Sequence, residues 1–190
     1  MKSILLGLFL LPLSMLAQNV NEPKVYLDSL WNETTEANHK YYRIIESYDS
    51  TTELYSIKDF YKSGVLQMEG HSKTKDDYTK EGEVAFYYEN GNKKSKTNYI
   101  KSRLIGRDEQ WYENGLKKSE GQYFESQTGF LTNYKMDQYW TNEGKQIVTD
   151  GAGLFEIKTD KFSDSGTIKN GLKEGEWTGT YNTNFTYTEN

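Results

Sequence analysis

Hydrophobic and polar residues alternate with a period of two over several short stretches of the chain. In the clearest of them, Val84, Phe86 and Tyr88 occupy alternate positions. Because successive side chains of a β-strand point to opposite faces, this period predicts a strand. Further aromatic or apolar stretches predict strands at residues 25–27, 41–45, 55–61 and 151–157. The pattern therefore indicates an all-β chain made of many short strands.

The stretch at residues 41–45 also fits a helix. Ala37, Tyr41 and Ile44 are spaced three or four residues apart, as on one face of a short helix beginning at Thr34. A strand is the preferred interpretation of this stretch, and the helix is its alternative.

A tetrapeptide repeats within the strand pattern. Tyr-Glu-Asn-Gly occurs at residues 88–91 and again, 24 residues later, at 112–115, and both copies are followed after one residue by Lys-Lys-Ser. Looser copies stand at residues 61–64 and 140–144. A glycine also precedes a tyrosine by six residues three times, in the pairs Gly82/Tyr88, Gly106/Tyr112 and Gly175/Tyr181. Recurrence in one frame indicates a repeat architecture.

Asn-Gly between aromatic-rich strands predicts hairpin turns at Asn90, Gly91, Asn114 and Gly115. Both residue types tolerate the positive φ angles of a type I′ turn. The other glycines of the frame permit either a second turn or a close backbone approach between units. Residues 124–135 depart from the frame and predict an expanded connection. A single hairpin is marginally stable, so several must stack and bury a continuous aromatic strip.

These residues resemble the bacterial variant of the MORN repeat, including the family of YwqK-like antitoxins. The similarity runs from about residue 59 to 146 and resumes from 166 to 181, where residues 171–177 look like the Asn-Gly-x-x-x-Gly-x-Trp core of that repeat. The resemblance implies an elongated, single-layer antiparallel sheet of successive MORN-type hairpins. It implies little about activity, because such repeats serve as attachment surfaces in many settings.

The N-terminus is typical of an exported protein. Lys2 is followed by an apolar stretch at residues 4–11, then Pro12 and the small residue Ala17. This pattern predicts a signal peptide at residues 1–17, and its apolar stretch is shorter than the roughly 20 residues that span a bilayer. The expected location is periplasmic or secreted, without stable membrane insertion after cleavage. An antitoxin normally acts in the cytoplasm, so this signal fits the antitoxin family poorly.

The remaining chain divides into three predicted parts. Residues 18–58 form a linker and strands, residues 59–150 contain the MORN-like repeats, and residues 151–190 contain C-terminal strands with a further MORN-like unit. The chain stops at residues 187–190, where another turn is expected. This end predicts either a truncated sequence or an open strand edge, and an open edge invites pairing with another strand.

Composition narrows the classes of function. Aromatic residues make up 15% of the chain, with 16 Tyr, whereas hydrophobic residues reach only 35%, which suits a thin sheet with half-buried faces. The net charge of −5 is spread along the chain, so a nucleic-acid partner is not expected. The absence of cysteine excludes disulfides, thiolate metal sites and lipid attachment through cysteine.

The chain shows no pattern typical of catalysis, metal binding or cofactor binding. His39 and His71 stand in unrelated contexts and are interpreted as exposed polar residues. The acidic residues do not follow a calcium-loop pattern and are interpreted as solvated loop carboxylates; they are Asp76, Asp77, Glu81, Glu83, Asp160 and Asp164. The glycines lack the frame of a phosphate-binding loop.

Recurring aromatic residues are the candidate binding residues. They share one register of the repeat and are Tyr87, Tyr88, Trp111, Tyr112, Tyr139, Trp140 and Trp177. The leading hypothesis is a non-enzymatic cell-envelope binding or scaffolding protein that engages a protein or glycan through this face or through an open strand edge. The alternatives are an antitoxin or immunity protein, and a glycan-processing or calcium-dependent enzyme with a site at residues 124–135.

Overall fold

The chain folds into one open antiparallel sheet. A computed structural model describes residues 23–75, 78–126, 132–181 and 185–189. These residues form fourteen strands, and each strand pairs with the next along the chain, so that sheet order equals sequence order. The predicted all-β fold, an elongated single-layer antiparallel sheet of successive hairpins, is confirmed. The strands are β1 (Lys24–Leu27), β2 (Tyr41–Asp49), β3 (Leu54–Tyr61), β4 (Leu66–Ser72), β5 (Lys80–Tyr87), β6 (Lys93–Ile100), β7 (Arg103–Trp111), β8 (Lys117–Glu125), β9 (Thr132–Trp140), β10 (Gln146–Thr149), β11 (Ala152–Lys158), β12 (Phe162–Lys169), β13 (Leu172–Tyr181) and β14 (Phe185–Glu189).

Two segments with ambiguous sequence patterns are strands in the structure. Residues 41–49 form β2, which pairs along its length with β3, so the helical alternative for this segment is wrong. The predicted connection at residues 124–135 is shorter than expected, because β8 continues to Glu125 and β9 begins at Thr132. In both cases the backbone hydrogen bonds of a neighbouring strand decide the conformation, and local spacing does not report them.

The Asn-Gly turns are hairpin turns, as predicted, but the predicted type I′ geometry is wrong. Gly91 has a φ of 87°, whereas Asn90 is not among the residues with positive φ. The Gly91 N–H donates to the Tyr88 carbonyl at 2.9 Å, and the Tyr88 N–H donates to the Asn92 carbonyl at 2.8 Å. These bonds define a three-residue loop in which a type I turn is followed by a left-handed glycine. The turn at residues 112–116 repeats this arrangement.

Type I′ geometry occurs at other turns of the sheet. Both central residues have positive φ at residues 101–102, 150–151 and 170–171, which is the requirement of a two-residue type I′ turn. The first of these turns is Lys101-Ser102 and contains no glycine. These two-residue turns lie at the opposite ends of the strands from the three-residue loops at residues 89–91 and 113–115.

Tyrosine hydroxyls join each turn to the next. The Tyr61 hydroxyl donates to the Tyr87 carbonyl at 2.8 Å, and the Tyr88 hydroxyl donates to the Trp111 carbonyl at 3.0 Å. In the next repeat the Tyr112 hydroxyl donates to the carbonyl of Trp140 at 2.8 Å. The asparagine amides Asn90 and Asn114 donate across the same gaps, to the carbonyls of Glu113 and Asn142. Each repeat thus uses its turn residues to hold the following one.

The other glycines of the frame have two separate roles. Gly82, Gly106 and Gly175 have φ between 68° and 70° and lie where the strand register shifts, so they form bulges within strands. The alternative of a second turn at these positions is wrong. Close backbone approach, the other alternative, occurs at Gly121, where an added Cβ would lie 2.3 Å from the Lys135 carbonyl oxygen.

The two faces of the sheet differ in chemistry. We call the groove face the one on which Ile57, Met68 and Val84 are buried together. A second cluster on this face joins Tyr139, Val148, Ile168 and Trp177 at β9–β13. We call the opposite side the back face. Residues adjacent in sequence to a buried groove-face residue point to this side, and many of them are charged. Those that form ion pairs include Lys58, Glu83, Lys96, Glu109 and Glu120.

A ring of backbone hydrogen bonds fixes the C-terminal part of the sheet. The Met136 N–H donates to the Gly171 carbonyl, the Gly171 N–H donates to the Gly151 carbonyl, and the Gly151 N–H donates to the Asp137 carbonyl, each at 2.8 Å. Two turn tips therefore reach past the four-residue strand β10 and contact β9 directly. This contact holds the second cluster against the middle of the sheet.

Candidate functional site

The buried row of the groove face becomes polar in the middle of the sheet. Thr97 of β6 and Asp108 of β7 stand in that row, and Ser119 of β8 lies next to it, opposite Gln110; each of the three has no more than 4% of its surface exposed. Their partners in the register confirm the alignment, since Thr97 stands opposite Val84 and also opposite Asp108. The two apolar clusters lie on either side of this polar stretch.

Asp108 replaces a hydrophobic residue of the repeat. The residue seven positions before the turn glycine is Ile57 in the first repeat, Val84 in the second and Asp108 in the third. Ile57 and Val84 are completely buried, and Asp108 is 2% exposed. A carboxylate at a position that the two preceding repeats fill with a branched aliphatic residue costs stability unless it is paired or hydrogen-bonded. Such a position is a candidate for function.

Among the residues that the structure describes, Asp108 has only neutral hydrogen-bond partners. The Thr97 hydroxyl donates to one carboxylate oxygen, and the Gln110 amide donates to the other at 3.0 Å. Among the basic side chains that the structure describes, none lies within 4 Å of this carboxylate. Asp59, the other buried carboxylate of the groove face, differs in this respect, because Arg43 donates to both of its oxygens at 2.7 and 2.8 Å.

A groove of about 270 Å³ opens beside Asp108. The pKa of Tyr99 and that of Tyr123 are both raised, mainly by burial and to a smaller extent by the charge of Asp108. Both phenols therefore remain protonated donors. Burial lowers the pKa of Lys118, which the charge of Asp108 partly offsets. The groove lining also contains Tyr88, Lys94, Ser95, Leu104, Gln110 and Trp111. The site combines a carboxylate, two amines and several aromatic rings.

A second groove lies at the N-terminal end of the same face. Its volume is about 360 Å³, and Arg43, Asp59 and Tyr78 line it. The Arg43 guanidinium lies over the Tyr78 ring at 4.5 Å, and burial raises the pKa of Tyr78. Trp31 forms one wall with a positive φ of 66°, a conformation that is rare for a bulky residue. Its ring stacks on Tyr41 at 4.4 Å.

The predicted aromatic residues do not form one continuous surface. Tyr139 and Trp177 are 4% and 2% exposed and belong to the second cluster. Tyr87 and Tyr88 are adjacent in sequence, but the Tyr87 hydroxyl donates to Glu69 and the Tyr88 hydroxyl donates to the Trp111 carbonyl. Burial, together with the bond to Glu69, raises the pKa of Tyr87 to about 12. Trp140 is half-buried at the end of β9. Their common role is to join strands and repeats.

Tyr88 is the member of the predicted set whose side chain lines the Asp108 groove, whereas the ring of Trp111 lies on the back face, where Trp111 pairs with Lys117. Trp111 lies between two ammonium groups, those of Lys93 at 5.2 Å and Lys117 at 4.4 Å from the ring centre. Tyr112 lies at a neighbouring groove with Tyr139. The predicted set thus identified the rim of the site, but it missed the buried carboxylate.

The histidines and acidic residues have varied surroundings. His39 is buried beside the rings of Tyr26 and Tyr42, so the prediction that it is exposed is wrong. His71 is exposed, as predicted. Asp76 and Asp77 lie outside the described residues. Within the part of the chain that the structure describes, no three His, Cys, Asp or Glu side chains converge as metal ligands.

Fold and groove together define an open, single-layer β-repeat protein with a ligand-sized groove on one face. No protein-family model matches the chain, and no curated protein and no solved structure is significantly similar to it. In the residues described, no helix has the length and apolar character needed to cross a bilayer.

Proposed function

We propose that this chain is a non-enzymatic binding or scaffolding protein of the cell envelope, built of MORN-like repeats, which engages a protein or glycan through its groove face. The observation that carries the proposal is the buried polar stretch centred on Asp108, with its adjoining groove. Concave sites with a few convergent polar groups and half-buried aromatic rings are typical of ligand binding.

The contrast between the two faces supports the groove face over the back face. Back-face charges are matched in pairs, such as Lys117 with Glu109 and Glu120 at 2.8 Å. Paired surface charges are satisfied within the sheet and add little to recognition. The open strand edges offer another route by strand addition, because β1 and β14 are the end strands of the sheet order. Side chains select a ligand more specifically than a backbone edge, so the groove face is the favoured site.

A capture experiment with two matched variants tests the proposal. We expect the native chain, immobilised and exposed to a cell-envelope extract, to retain a partner that the variant Leu104→Glu loses, because the substitution places a negative charge in the groove. The control is Leu154→Glu, which adds the same charge at a 75% exposed position that alternates with the groove-face residues Gly153 and Phe155. Equal retention by all three proteins, or loss only in the control, would contradict the proposal.

The proposed envelope location has a separate test. We expect the exported protein to have lost residues 1–17, so that its N-terminal residue is Gln18. Mass spectrometry of the intact protein from the periplasmic or culture fraction measures this directly. Recovery of the full chain beginning at Met1 in the cytoplasmic fraction would contradict export.

A further inference from the structure

The Asp108 groove has the chemistry of a saccharide site. We propose that the ligand of the groove face is an oligosaccharide, and that its hydroxyl groups donate hydrogen bonds to the Asp108 carboxylate; this inference rests on the proposed binding function. Three features support it: the free acceptor positions of the carboxylate, the mixed charges and rings around it, and the series of grooves along the face.

The Asp108 carboxylate retains unused acceptor capacity. An ionised carboxylate offers about four lone-pair positions. Two of them accept bonds from Thr97 and Gln110. The remaining positions lie beside the groove and are not bound by a described basic side chain, in contrast to Asp59, whose two oxygens are both bound by Arg43. A ligand that supplies neutral O–H donors completes the hydrogen bonding of Asp108.

The charged groups around Asp108 disfavour binding of a ligand that is purely cationic or purely anionic. Two ammonium groups, those of Lys94 and Lys118, line the groove and repel an arginine or lysine side chain of a protein partner. Asp108 itself repels a free anion. A polyhydroxylated ligand can bind both the negative and the positive groups of the groove, since a sugar hydroxyl donates to a carboxylate and accepts from an ammonium group.

Aromatic rings supply the apolar part of the site. Tyr99 and Tyr123 line the groove, and both are half-buried, so part of each ring is accessible. A sugar ring has an apolar face of C–H groups and a polar rim, and an amphipathic aromatic side chain accommodates both. The tyrosine hydroxyls remain protonated, because burial raises the pKa of each.

The grooves are arranged for a chain rather than for a single sugar. Along the groove face, the Arg43 groove, the Asp108 groove and a third groove of about 310 Å³ at Phe155 and Trp177 follow one another from β2 to β13. Tyr134 lies between the last two, since it lines the third groove and feels the charge of Asp108. An extended oligosaccharide crossing the strands contacts these grooves in series.

The test measures binding of defined probes to the folded chain. We expect the native protein to bind members of a printed array of neutral and uronic-acid oligosaccharides, and to bind the strongest of them in a calorimetric titration. Asp108→Val is expected to weaken that titration at least about tenfold, because hydrogen bonds to a charged group are among the stronger ones. The matched control is Glu109→Gln, which removes a carboxylate from the next residue on the back face and is expected to leave affinity unchanged.

Stability measurements separate a binding role for Asp108 from a structural one. Asp108→Val introduces the residue type that the first two repeats carry at this position. The melting temperature of the variant is therefore expected to equal or exceed that of the native chain, because replacing a polar residue kept for function in a core often stabilises the fold. A clearly lower melting temperature would assign Asp108 a structural role and overturn the inference. Asp108→Asn, which keeps the shape of the side chain, is expected to remain folded and to lose affinity.

Other outcomes distinguish the saccharide inference from the proposed function. If the native chain binds a hexa-arginine peptide and Asp108→Val does not, the ligand is a cationic protein segment rather than a saccharide. That result would overturn the inference but leave the proposed groove-face binding function in place. An array without any bound saccharide, together with groove-dependent capture from envelope extract, would likewise overturn the inference and leave the binding function in place. Failure of both the array and the capture experiment would remove the proposed function as well.

Discussion

Replacement of Arg43 by Ala is expected to lower the free energy of unfolding by about 3–5 kcal/mol, because it leaves a buried carboxylate without its counter-ion. Asp59 is 1% exposed, and the Arg43 guanidinium binds both of its oxygens, at 2.7 and 2.8 Å. The same guanidinium lies over the Tyr78 ring at 4.5 Å, so its removal also opens the N-terminal groove. Urea unfolding followed by tyrosine fluorescence measures the change.

A paired variant separates the ion pair from packing. Arg43→Met/Asp59→Leu removes both charges while retaining apolar volume, so most of the loss is expected to be recovered. A small effect of Arg43→Ala alone, below about 1 kcal/mol, would mean that Asp59 is solvated or protonated after the substitution, because exposed ion pairs contribute that little.

The hairpin ladder could be predicted from sequence because its signals are local. Alternation of Val84 and Phe86 identifies a strand, and Tyr-x-Asn-Gly identifies the end of one. The exact turn geometry could not be predicted, because Asn90-Gly91 suits both a two-residue type I′ turn and the last two residues of a three-residue loop. The number of loop residues depends on which residues pair, as Tyr88 does with Asn92, and pairing is a property of two strands.

The centre of the candidate site could not be predicted for a related reason. Asp108 is one of 28 acidic residues, and only the strand register places it, rather than Glu109, in the buried row. A one-residue shift of register exchanges the two faces. The signal was nevertheless present, because counting seven residues back from the first three turn glycines gives Ile57, Val84 and Asp108. A carboxylate that follows two aliphatic residues at one position of the repeat is the residue to examine in a repeat of this kind.

The thin core makes this sheet unusually dependent on close contacts. The two apolar clusters contain four and three buried residues, and polar side chains separate them. Each cluster therefore relies on a few contacts that larger cores distribute over many residues. A closely confined contact of this kind is the packing of Trp177 on Gly166.

Substitution of Gly166 by Ala is expected to lower the free energy of unfolding by about 3 kcal/mol, because overpacking a rigid neighbour forces the backbone to move. The added Cβ would lie 2.3 Å from Cδ2, 2.4 Å from Cε2 and 2.6 Å from Cγ of Trp177. That ring is 2% exposed and has Phe155 beside it at 5.8 Å, so these contacts restrict its movement. Thermal and urea unfolding of the purified variant measure the loss.

Gly175 provides the matched control, because it lies in the same hairpin and is required for a different reason. A Cβ there meets no atom within 4 Å, but φ is 68°, so Gly175→Ala is expected to cost about 1 kcal/mol of backbone strain. Adding Trp177→Phe to Gly166→Ala relieves the collision, so the double variant is expected to be more stable than the sum of the single effects predicts. Strict additivity, or a larger loss at Gly175 than at Gly166, would show that the ring does not press on Gly166 and that the bulge, rather than the contact, holds this end of the sheet.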